Sequence, residues 1–284
     1  MTTFDLHQHL WPESFVSALS RRSEPPRLRG RVLELATEGE LEVDVDAHRL
    51  ETRLAALDRA ETDVAVVSLP PTLGADGHPE LVEAYHEGIA EVVRASSGRL
   101  RALATGSARD GFAGATVAGR ALVEELDAVE PLLRDLEEGG GLLFVHPSAG
   151  RAVDGLPSWW PAVVDYTGEM QAAYSAWLAR GAAAHPNLRV VFAILAGGAP
   201  VQLERLRSRG VDLRPVLHRN VFFDTASYGR RALELVLATY GVRQLVFGSD
   251  FPVLDAGVGL HALSEFGAAV SDAVRRENPS LLLA

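Results

Sequence analysis

The chain has 284 residues, 47% of them hydrophobic, so it can bury the core of one large α/β domain. Its formal net charge of −11 disfavours nucleic acid and anionic membrane surfaces as partners. Cysteine is absent, which excludes disulfides, thiol catalysis and cysteine metal sites.

Lysine is also missing, so all 27 basic residues are arginine. No Schiff-base lysine can form, and no carboxylated lysine can bridge two metal ions. We therefore expect any metal site to hold a single ion. The N-terminus lacks a basic-then-apolar signal segment and no run reaches transmembrane length, which predicts a cytoplasmic protein.

The first predicted element is a short buried strand over residues 3–10. Its two histidines, His7 and His9, are two residues apart and therefore project from the same face of the strand, with Asp5 one step behind them. Two imidazoles on one face can share a metal ion. Taken alone, the pair is more often two ordinary polar residues than a metal site, so the metal interpretation depends on ligand-type residues elsewhere.

The segment after the first strand predicts a small flap. Residues 21–30 are rich in Arg, Pro and Ser and indicate a loop, whereas residues 31–45 alternate polar and apolar side chains around a Thr-Glu-Gly turn. This alternation predicts a β-hairpin inserted beside the main body. Asp46 can then cap a helix that runs to about residue 60.

Seven further strands alternate with helices in the rest of the chain. The third and fourth strands are separated by only residues 106–112, which is too short for a crossover helix. Most strands are uniformly apolar, as in a parallel sheet covered on both faces. The predicted strands are residues 63–69, 100–105, 113–117, 142–146, 188–194, 221–225 and 244–248.

Eight strands that alternate with helices predict a closed (β/α)8 TIM barrel formed by a single domain over residues 1–284, with the hairpin at 31–45 as its insertion. A doubly wound open sheet is the structural alternative. No Gly-x-Gly-x-x-Gly motif follows the first strand, which argues against a nucleotide-binding version.

Four residues whose side chains can bind a metal ion fall at the C-terminal ends of predicted strands, where the active sites of such barrels lie. His7 and His9 end the first strand, His146 ends the fifth, and Asp250 follows the eighth. Three imidazoles and one carboxylate suit zinc first, with manganese, iron or cobalt as alternatives. An ion held in this way can lower the pKa of a bound water or polarise a substrate oxygen.

Four short motifs, in this order, resemble the signatures of the amidohydrolase superfamily. They are most similar to its amidohydrolase-2 branch, the group that resembles aminocarboxymuconate-semialdehyde decarboxylase. The motifs are Asp-Leu-His-Gln-His at 5–9, Phe-Val-His-Pro at 144–147, Gly-Gly-Ala-Pro at 197–200 and Gly-Ser-Asp-Phe-Pro at 248–252.

The resemblance implies a metal-dependent barrel that hydrolyses small molecules or removes carboxylates without oxidation. It implies that His7, His9, His146 and Asp250 are metal ligands, and that Asp250 can also take a proton from the metal-bound water. The flap is also compatible with this branch.

One departure from the family pattern concerns proton transfer. The resemblance implies a histidine two residues before the Gly-Gly that follows strand six, but Leu195 occupies this position. Three interpretations remain open. Asp250 acts alone as the base, or another residue such as His78 replaces the histidine, or the chain binds metal and ligand with little turnover.

The remaining aromatic and histidine residues have weaker predictions. Four aromatic side chains in loops at the C-terminal end of the barrel, Trp11, Trp159, Trp160 and Phe251, could line a substrate pocket or merely cover the barrel mouth. The histidines are predicted as structural or surface residues at 185 and 218 and as solvated helix residues at 48 and 86, whereas His261 lies near the site end.

The main functional prediction is a metal-dependent hydrolase of amide, ester or lactone bonds in a small molecule. A decarboxylase of the same fold is the first alternative, and Arg109 or Arg151 could hold its carboxylated substrate. A non-catalytic metal-binding barrel is favoured by Leu195. A nuclease that shares the His-x-His start is disfavoured by the acidic charge. We also expect a homodimer to be possible.

Overall fold

Eight parallel strands follow one another in chain order around a single sheet, which confirms the predicted (β/α)8 barrel. The computed structural model describes residues 1–212 and 219–284. Adjacent strands pair in parallel from the first to the last. The strands are β1 (Phe4–His9), β5 (Val64–Ser68), β6 (Leu100–Thr105), β7 (Gly114–Ala118), β8 (Leu142–His146), β9 (Arg189–Phe192), β10 (Val221–Asp224) and β11 (Leu245–Val246).

Backbone hydrogen bonds between the first strand and the segment after the last strand close the barrel. The amide of Leu6 donates to the carbonyl of Phe247 over 2.8 Å, and the amide of His9 donates to the carbonyl of Phe251 over 2.8 Å. Strand β11 is shorter than predicted because the chain leaves regular pairing at Phe247. The closure fixes Asp250 beside the end of β1.

The core lies on both sides of the barrel wall, as the apolar strand sequences predict. Every residue of β7 and β8 is buried, and so are the last three residues of β9. The surrounding helices contribute large side chains such as Tyr174 and Trp177, each at most 2% exposed. This packing makes the strand ends a rigid platform for side chains.

The helices surround the barrel, and none among the described residues is long and apolar enough to span a membrane. Two π-helical turns flank the helix Tyr166–Ala176. A short helix at Gly119–Glu124 follows β7 and was not predicted. The α-helices are Glu13–Arg21, Leu50–Arg59, Pro79–Ala95, Gly119–Glu124, Leu126–Gly139, Tyr166–Ala176, Ala182–Ala184, Leu203–Ser208, Arg230–Tyr240, Ala256–Ser264, Ala268–Asp272 and Asn278–Leu282.

The flap after β1 is a three-stranded antiparallel sheet, whereas the sequence indicated a two-stranded hairpin. The strands are β2 (Arg27–Arg29), β3 (Val32–Leu35) and β4 (Gly39–Glu42), in that order. Strand β2 forms within the segment that we predicted as loop. Asp44, not Asp46, caps the next element, a 3-10 helix at Val45–His48, because its side chain accepts the Asp46 amide.

The chain reverses its handedness directly after β9. Residues 194–197 have positive φ angles of 47°, 51°, 52° and 64°. Left-handed geometry costs about 1–2 kcal/mol per non-glycine residue, and a β-branched residue such as Ile194 is an outlier there. Strand six therefore ends two residues earlier than predicted, and the position of Leu195 is set by this left-handed turn.

Candidate metal centre

Three buried imidazoles converge at the C-terminal end of the barrel. His7 and His9 end β1, and His146 ends β8; they are 1%, 3% and 6% exposed. Their rings contact one another edge to face, with centroids 4.9–5.1 Å apart. One ligand nitrogen from each ring lies within 4.8 Å of the others. The three strand-end positions that the sequence singled out thus form one cluster.

Hydrogen bonds from the Nδ1 atoms to oxygen acceptors orient all three rings. Nδ1 of His7 donates to Asp224 Oδ2 over 2.7 Å. Nδ1 of His9 lies 3.3 Å from the Ser68 carbonyl, and Nδ1 of His146 lies 2.9 Å from the Pro147 carbonyl. An imidazole that donates from Nδ1 keeps its Nε2 lone pair for a metal ion, and such outer partners are typical of metal-binding histidines.

The spacing of the Nε2 atoms fits a shared cation. Nε2 of His7 and Nε2 of His9 are 3.1 Å apart. Two unshared lone pairs at this distance repel each other, so either a proton or a metal ion must lie between them. Two ligands about 2.0–2.1 Å from one ion are roughly 3 Å apart in ordinary coordination geometries. The donor set and the spacing therefore fit a divalent metal.

Asp250 completes the cluster with a carboxylate. Its Oδ1 lies 3.1 Å from His9 Nε2 and 3.5 Å from His7 Nε2, and its side chain is 15% exposed. Its φ of 62° is fixed by the hydrogen bond from its amide to the His7 carbonyl, 2.8 Å long. Burial opposes ionisation, but the hydrogen bond from His9 and the neighbouring imidazoles hold the pKa of Asp250 below its usual value.

The electrostatics of the cluster favour one positive charge. Burial lowers the pKa of His7, but the Asp224 carboxylate outweighs it and raises that pKa to about 9. Burial and neighbouring positive charge lower the pKa of His9 and of His146. Without metal, the cluster therefore holds its proton on His7, and a bound divalent cation would replace that proton with a larger positive charge.

A buried arginine that sequence reasoning missed supports the end of β1. The Arg53 side chain is fully buried, and its guanidinium donates to Gln8 Oε1 and to the His9 carbonyl, each over 2.6 Å. It also lies over the Phe251 ring, 4.6 Å from the centroid. Arg53 thus connects the histidine strand to the loop that carries Asp250. In the sequence, Arg53 occupies a charged position of the helix Leu50–Arg59, and nothing in that pattern indicates that its side chain is buried.

Asp224, at the end of β10, connects the metal cluster to the left-handed turn. While Oδ2 holds His7, Oδ1 accepts the amides of Ile194, over 3.1 Å, and Ala226, over 2.9 Å. This carboxylate is fully buried and saturated with donors. The same turn places Leu195, which is 1% exposed and carries no group that can move a proton.

The four predicted substrate-binding aromatics lie in different environments. Trp11 is buried and stacks on His48, with ring centroids 4.4 Å apart. Trp159 is 54% exposed and lies 6.1 Å from the Trp160 ring. Phe251 packs on Arg53, which stabilises the site rather than leaving the ring free. A substrate-binding role for these side chains stays a prediction.

Two histidines that we predicted as solvated are buried. Nδ1 of His48 accepts the Trp11 amide, and its ring is only 7% exposed. Nε2 of His86 accepts the Thr105 amide over 2.9 Å, and its ring is 2% exposed. Both lie on the inner face of their elements, which the sequence pattern did not distinguish from the outer face.

His78, the predicted substitute acid or base, is partly exposed and pairs away from the cluster. Both of its ring nitrogens lie 3.3 Å from Arg22 Nη2, and Glu80 is 3.9 Å away. None of its described polar contacts involves a residue of the metal cluster, so a catalytic role for His78 stays a prediction.

The prediction for one other histidine is confirmed, and that for His261, near the site end, stays a prediction. His185 is structural, because it is buried between Glu130 and Glu137, each 3.0 Å away. His261 is exposed on the helix Ala256–Ser264. Residue 218 lies outside the described residues.

Neither candidate arginine for a substrate carboxylate contacts the cluster in the described structure. Arg109 pairs with Glu83 over 2.7 Å. The side chain of Arg151 is exposed, and its backbone amide donates to Asp165. Both remain predictions as carboxylate ligands.

A (β/α)8 barrel with three buried histidines and an aspartate at its C-terminal strand ends defines a class of metal-dependent enzymes. The family model described as Amidohydrolase matches residues 4–279. The chain therefore belongs to the amidohydrolase family, as its motifs indicated.

Three known proteins illustrate the similarity. A Dictyostelium discoideum protein described as 2-amino-3-carboxymuconate-6-semialdehyde decarboxylase is 23% identical over 271 residues, which cover 81% of this chain and 75% of the relative. The apo structure of the IDCase of Metarhizium anisopliae matches with a TM-score of 0.80 at 18% identity. The match covers 99% of this chain and 97% of the IDCase chain.

The third is 5-carboxyvanillate decarboxylase from Novosphingobium aromaticivorans in complex with manganese and a nitrobenzoic acid. It matches with a TM-score of 0.74 at 16% identity, and the match covers 99% of this chain and 96% of the decarboxylase chain. At these identities the two structures support the barrel fold alone. Independently of these structures, the buried histidine cluster of this chain has the donor set that a divalent metal ion prefers.

Proposed function

We propose that the chain is a metal-dependent decarboxylase that removes a carboxylate from a small organic acid without oxidation. The observation that carries the proposal is the cluster formed by His7, His9, His146 and Asp250. The sequence alone favoured hydrolysis, but the similar proteins described above that are named for an activity are decarboxylases, and they favour the alternative.

The proposed ligands are the Nε2 atoms of the three histidines and the carboxylate of Asp250. A bound divalent ion would supply Lewis-acid stabilisation of negative charge on a substrate oxygen. We favour one zinc ion because imidazole-rich sites suit zinc, and manganese is the alternative because a similar structure binds it. Only a metal analysis separates these two ions.

The proposed reaction breaks the bond between the substrate carbon and its carboxylate, CO₂ leaves, and the carbon takes a proton. Asp250 is the group of the cluster that can hold and release that proton. The three histidines could not do so with a metal bound, because their Nε2 atoms would hold the ion and their Nδ1 atoms are committed to Asp224, Ser68 and Pro147. This assignment agrees with Leu195, since it needs no histidine after strand six.

The test is a substrate panel on zinc- and manganese-loaded protein. Hydroxybenzoic acids and small unsaturated carboxylic acids are monitored for CO₂ release, and matched esters and lactones are monitored for hydrolysis. We expect CO₂ release from at least one acid, and its loss in His146→Ala. Ester or lactone cleavage without CO₂ release would favour the hydrolase instead. Inactivity on the whole panel with metal bound would favour a binding barrel.

The remaining expectations concern the context of the enzyme. We propose a small-molecule substrate, a cytoplasmic location and a homodimer as the candidate assembly. Light scattering on the purified protein measures the assembly directly. A mass near 30.5 kDa would indicate a monomer, and twice that mass would indicate the dimer.

A further inference from the structure

A carboxylate from the flap is seated on the loop that follows the metal-binding strand β8. Glu38 lies at the turn between β3 and β4. Its Oε1 accepts the Gly150 amide over 2.6 Å and the Tyr166 hydroxyl over 2.7 Å, and its Oε2 lies 2.9 Å from the same hydroxyl. Next to it, the Thr37 carbonyl accepts the Ala152 amide over 2.9 Å.

Two neighbouring amides of this loop are also held by carboxylates, but from a different part of the molecule. The amide of Ser148 donates to Glu169 over 3.0 Å, and the amide of Arg151 donates to Asp165 over 2.8 Å. Both acceptors belong to the continuous helical segment that packs beside the loop. Of the three carboxylates, only Glu38 belongs to the flap, so only its bonds to the loop break when the flap tip moves away.

The attachment of the flap supports such a movement. Its base is fixed by Leu28, Leu33 and Leu35, which are buried in the core between the first helices. Every residue of β4 is exposed. Among the described residues, the hydrogen bonds from the tip to the barrel are those of Thr37 and Glu38. The tip can therefore lift while the base stays packed.

Glu38 is bonded to the loop that begins directly after His146 and Pro147, so its partner Gly150 lies four residues after a candidate metal ligand. Burial and the adjacent Glu38 raise the pKa of the Tyr166 hydroxyl, and the charge of Asp250 raises it further, so the hydroxyl stays protonated and remains a donor. Gly197, in the left-handed turn, packs closely against Thr167, the residue that follows Tyr166. A Cβ atom at position 197 would lie only 2.2 Å from the Thr167 carbonyl oxygen.

We propose that the Gly150 amide and the Tyr166 hydroxyl form a carboxylate-binding cradle that Glu38 fills in the free protein, and that a carboxylate of the ligand displaces Glu38 when the flap tip lifts. An N–H and an O–H donor together match a planar, acceptor-only group. When Glu38 leaves, both donors need a new acceptor. The inference rests on the proposed function, because it assumes a carboxylated ligand.

Binding of benzoate to the metal-loaded protein tests the cradle without any turnover. Glu38→Ala removes the internal competitor, so we expect benzoate to bind about tenfold more tightly by calorimetry. Benzamide, which lacks the charge, should show no gain. Glu40→Ala removes an exposed flap carboxylate with the same change in charge and should leave both affinities unchanged.

Tyr166 separates the cradle from a mere increase in access to the metal. In the double variant Glu38→Ala/Tyr166→Phe we expect the gain for benzoate to be lost, because one of the two donors is gone. A gain that survives this change would place benzoate elsewhere and overturn the proposal. So would unchanged or weaker binding in a folded Glu38→Ala protein.

Glu38→Gln keeps the proposal testable if the alanine variant does not fold. The glutamine side chain has the same shape but offers only one acceptor oxygen, so it should occupy the cradle less firmly and give part of the gain for benzoate. No gain in folded Glu38→Gln would also contradict the cradle. An inactive substrate panel with a positive benzoate result would instead contradict only the decarboxylase.

Discussion

Two walls of the barrel mouth differ in the chemistry of their side chains, since one is polar and titratable and the other is apolar. The wall formed by the ends of β1, β8 and β11 carries the polar cluster of His7, His9, His146 and Asp250, each oriented by a defined partner. The wall after β9 carries Ile194, Leu195 and Ala196 in a left-handed turn without any titratable side chain. The difference teaches that the candidate metal ligands and the candidate proton-transfer group, Asp250, lie on the same wall, whereas the other wall has no side chain that can move a proton.

Asp224 joins the two walls, because it holds His7 through one oxygen and the turn through the other. The strained turn can therefore contribute to the site without offering a functional group. Its backbone amide at Ile194 neutralises part of the Asp224 charge, and this limits how strongly the carboxylate polarises His7.

The largest effect is expected from the polar wall. His146→Ala should weaken metal binding by roughly a thousandfold, because even second-shell changes cost about 10–100-fold in metal affinity. Titration calorimetry with zinc or manganese measures the change. His261→Ala, an exposed substitution at the same end of the barrel, is the control and should bind metal normally. Wild-type affinity in His146→Ala would remove this histidine from the centre.

Asp224→Asn tests the connection between the walls. The single oxygen of asparagine can accept either the Nδ1–H of His7 or the Ile194 and Ala226 amides, but not both, and the negative charge is lost, so we expect metal affinity to fall by about 10–100-fold. Gln244→Ala serves as a comparison, because this side chain bonds the Val221 carbonyl at the far end of the same strand. Equal effects of both substitutions would mean that Asp224 acts only through general stability.

Leu195→His tests whether the apolar wall limits turnover. Histidine tolerates positive φ better than leucine, so the left-handed turn should accept it. If proton transfer limits the rate, we expect kcat for the best acid of the panel to rise about tenfold with metal content unchanged. Leu195→Asn is the matched control, since it suits the same backbone but cannot shuttle a proton. A rise in both variants would point to stability instead.

The smallest effect concerns a buried histidine outside both walls. Burial and Arg109 lower the pKa of His86 to about 4. The unfolded chain binds a proton at this histidine near pH 6.5, whereas the folded protein does not. The contribution of neutral His86 to the unfolding free energy is therefore fully present above pH 6.5 and is lost progressively as pH falls toward 4. At pH 5.5 the loss from this group is about 1 kcal/mol.

His86→Gln keeps an acceptor for the Thr105 amide and removes the titration. We expect its unfolding free energy to fall less than that of the wild type between pH 7.5 and pH 5.5, as measured by urea denaturation. Parallel falls in the two proteins would show that other groups dominate the acid response.

The sequence predicted the barrel and the convergence of the residues at its strand ends because both depend on simple patterns. Apolar runs located the strands, and the ends of parallel strands meet at one edge, so His7, His146 and Asp250 could be placed together from far apart in the chain. The pattern of charged residues could not locate Arg53 or His48, because burial of a polar side chain depends on partners from other elements.

The left-handed turn and the seat of Glu38 were beyond sequence reasoning for a different reason. Nothing in Ile-Leu-Ala predicts positive φ angles, which are imposed by packing and by the Asp224 oxygen that accepts the Ile194 amide. Glu38 resembled any exposed turn residue, and its role depends on a loop more than 100 positions away. Both are long-range effects that local propensity does not encode.

The most direct test of the account is an elemental analysis of the protein purified without added metal or chelator. We predict close to one zinc or manganese ion per chain, and a loss of that ion in His146→Ala. Protein that contains no divalent metal, even after incubation with excess zinc and manganese, would contradict the metal centre and with it the proposed decarboxylase.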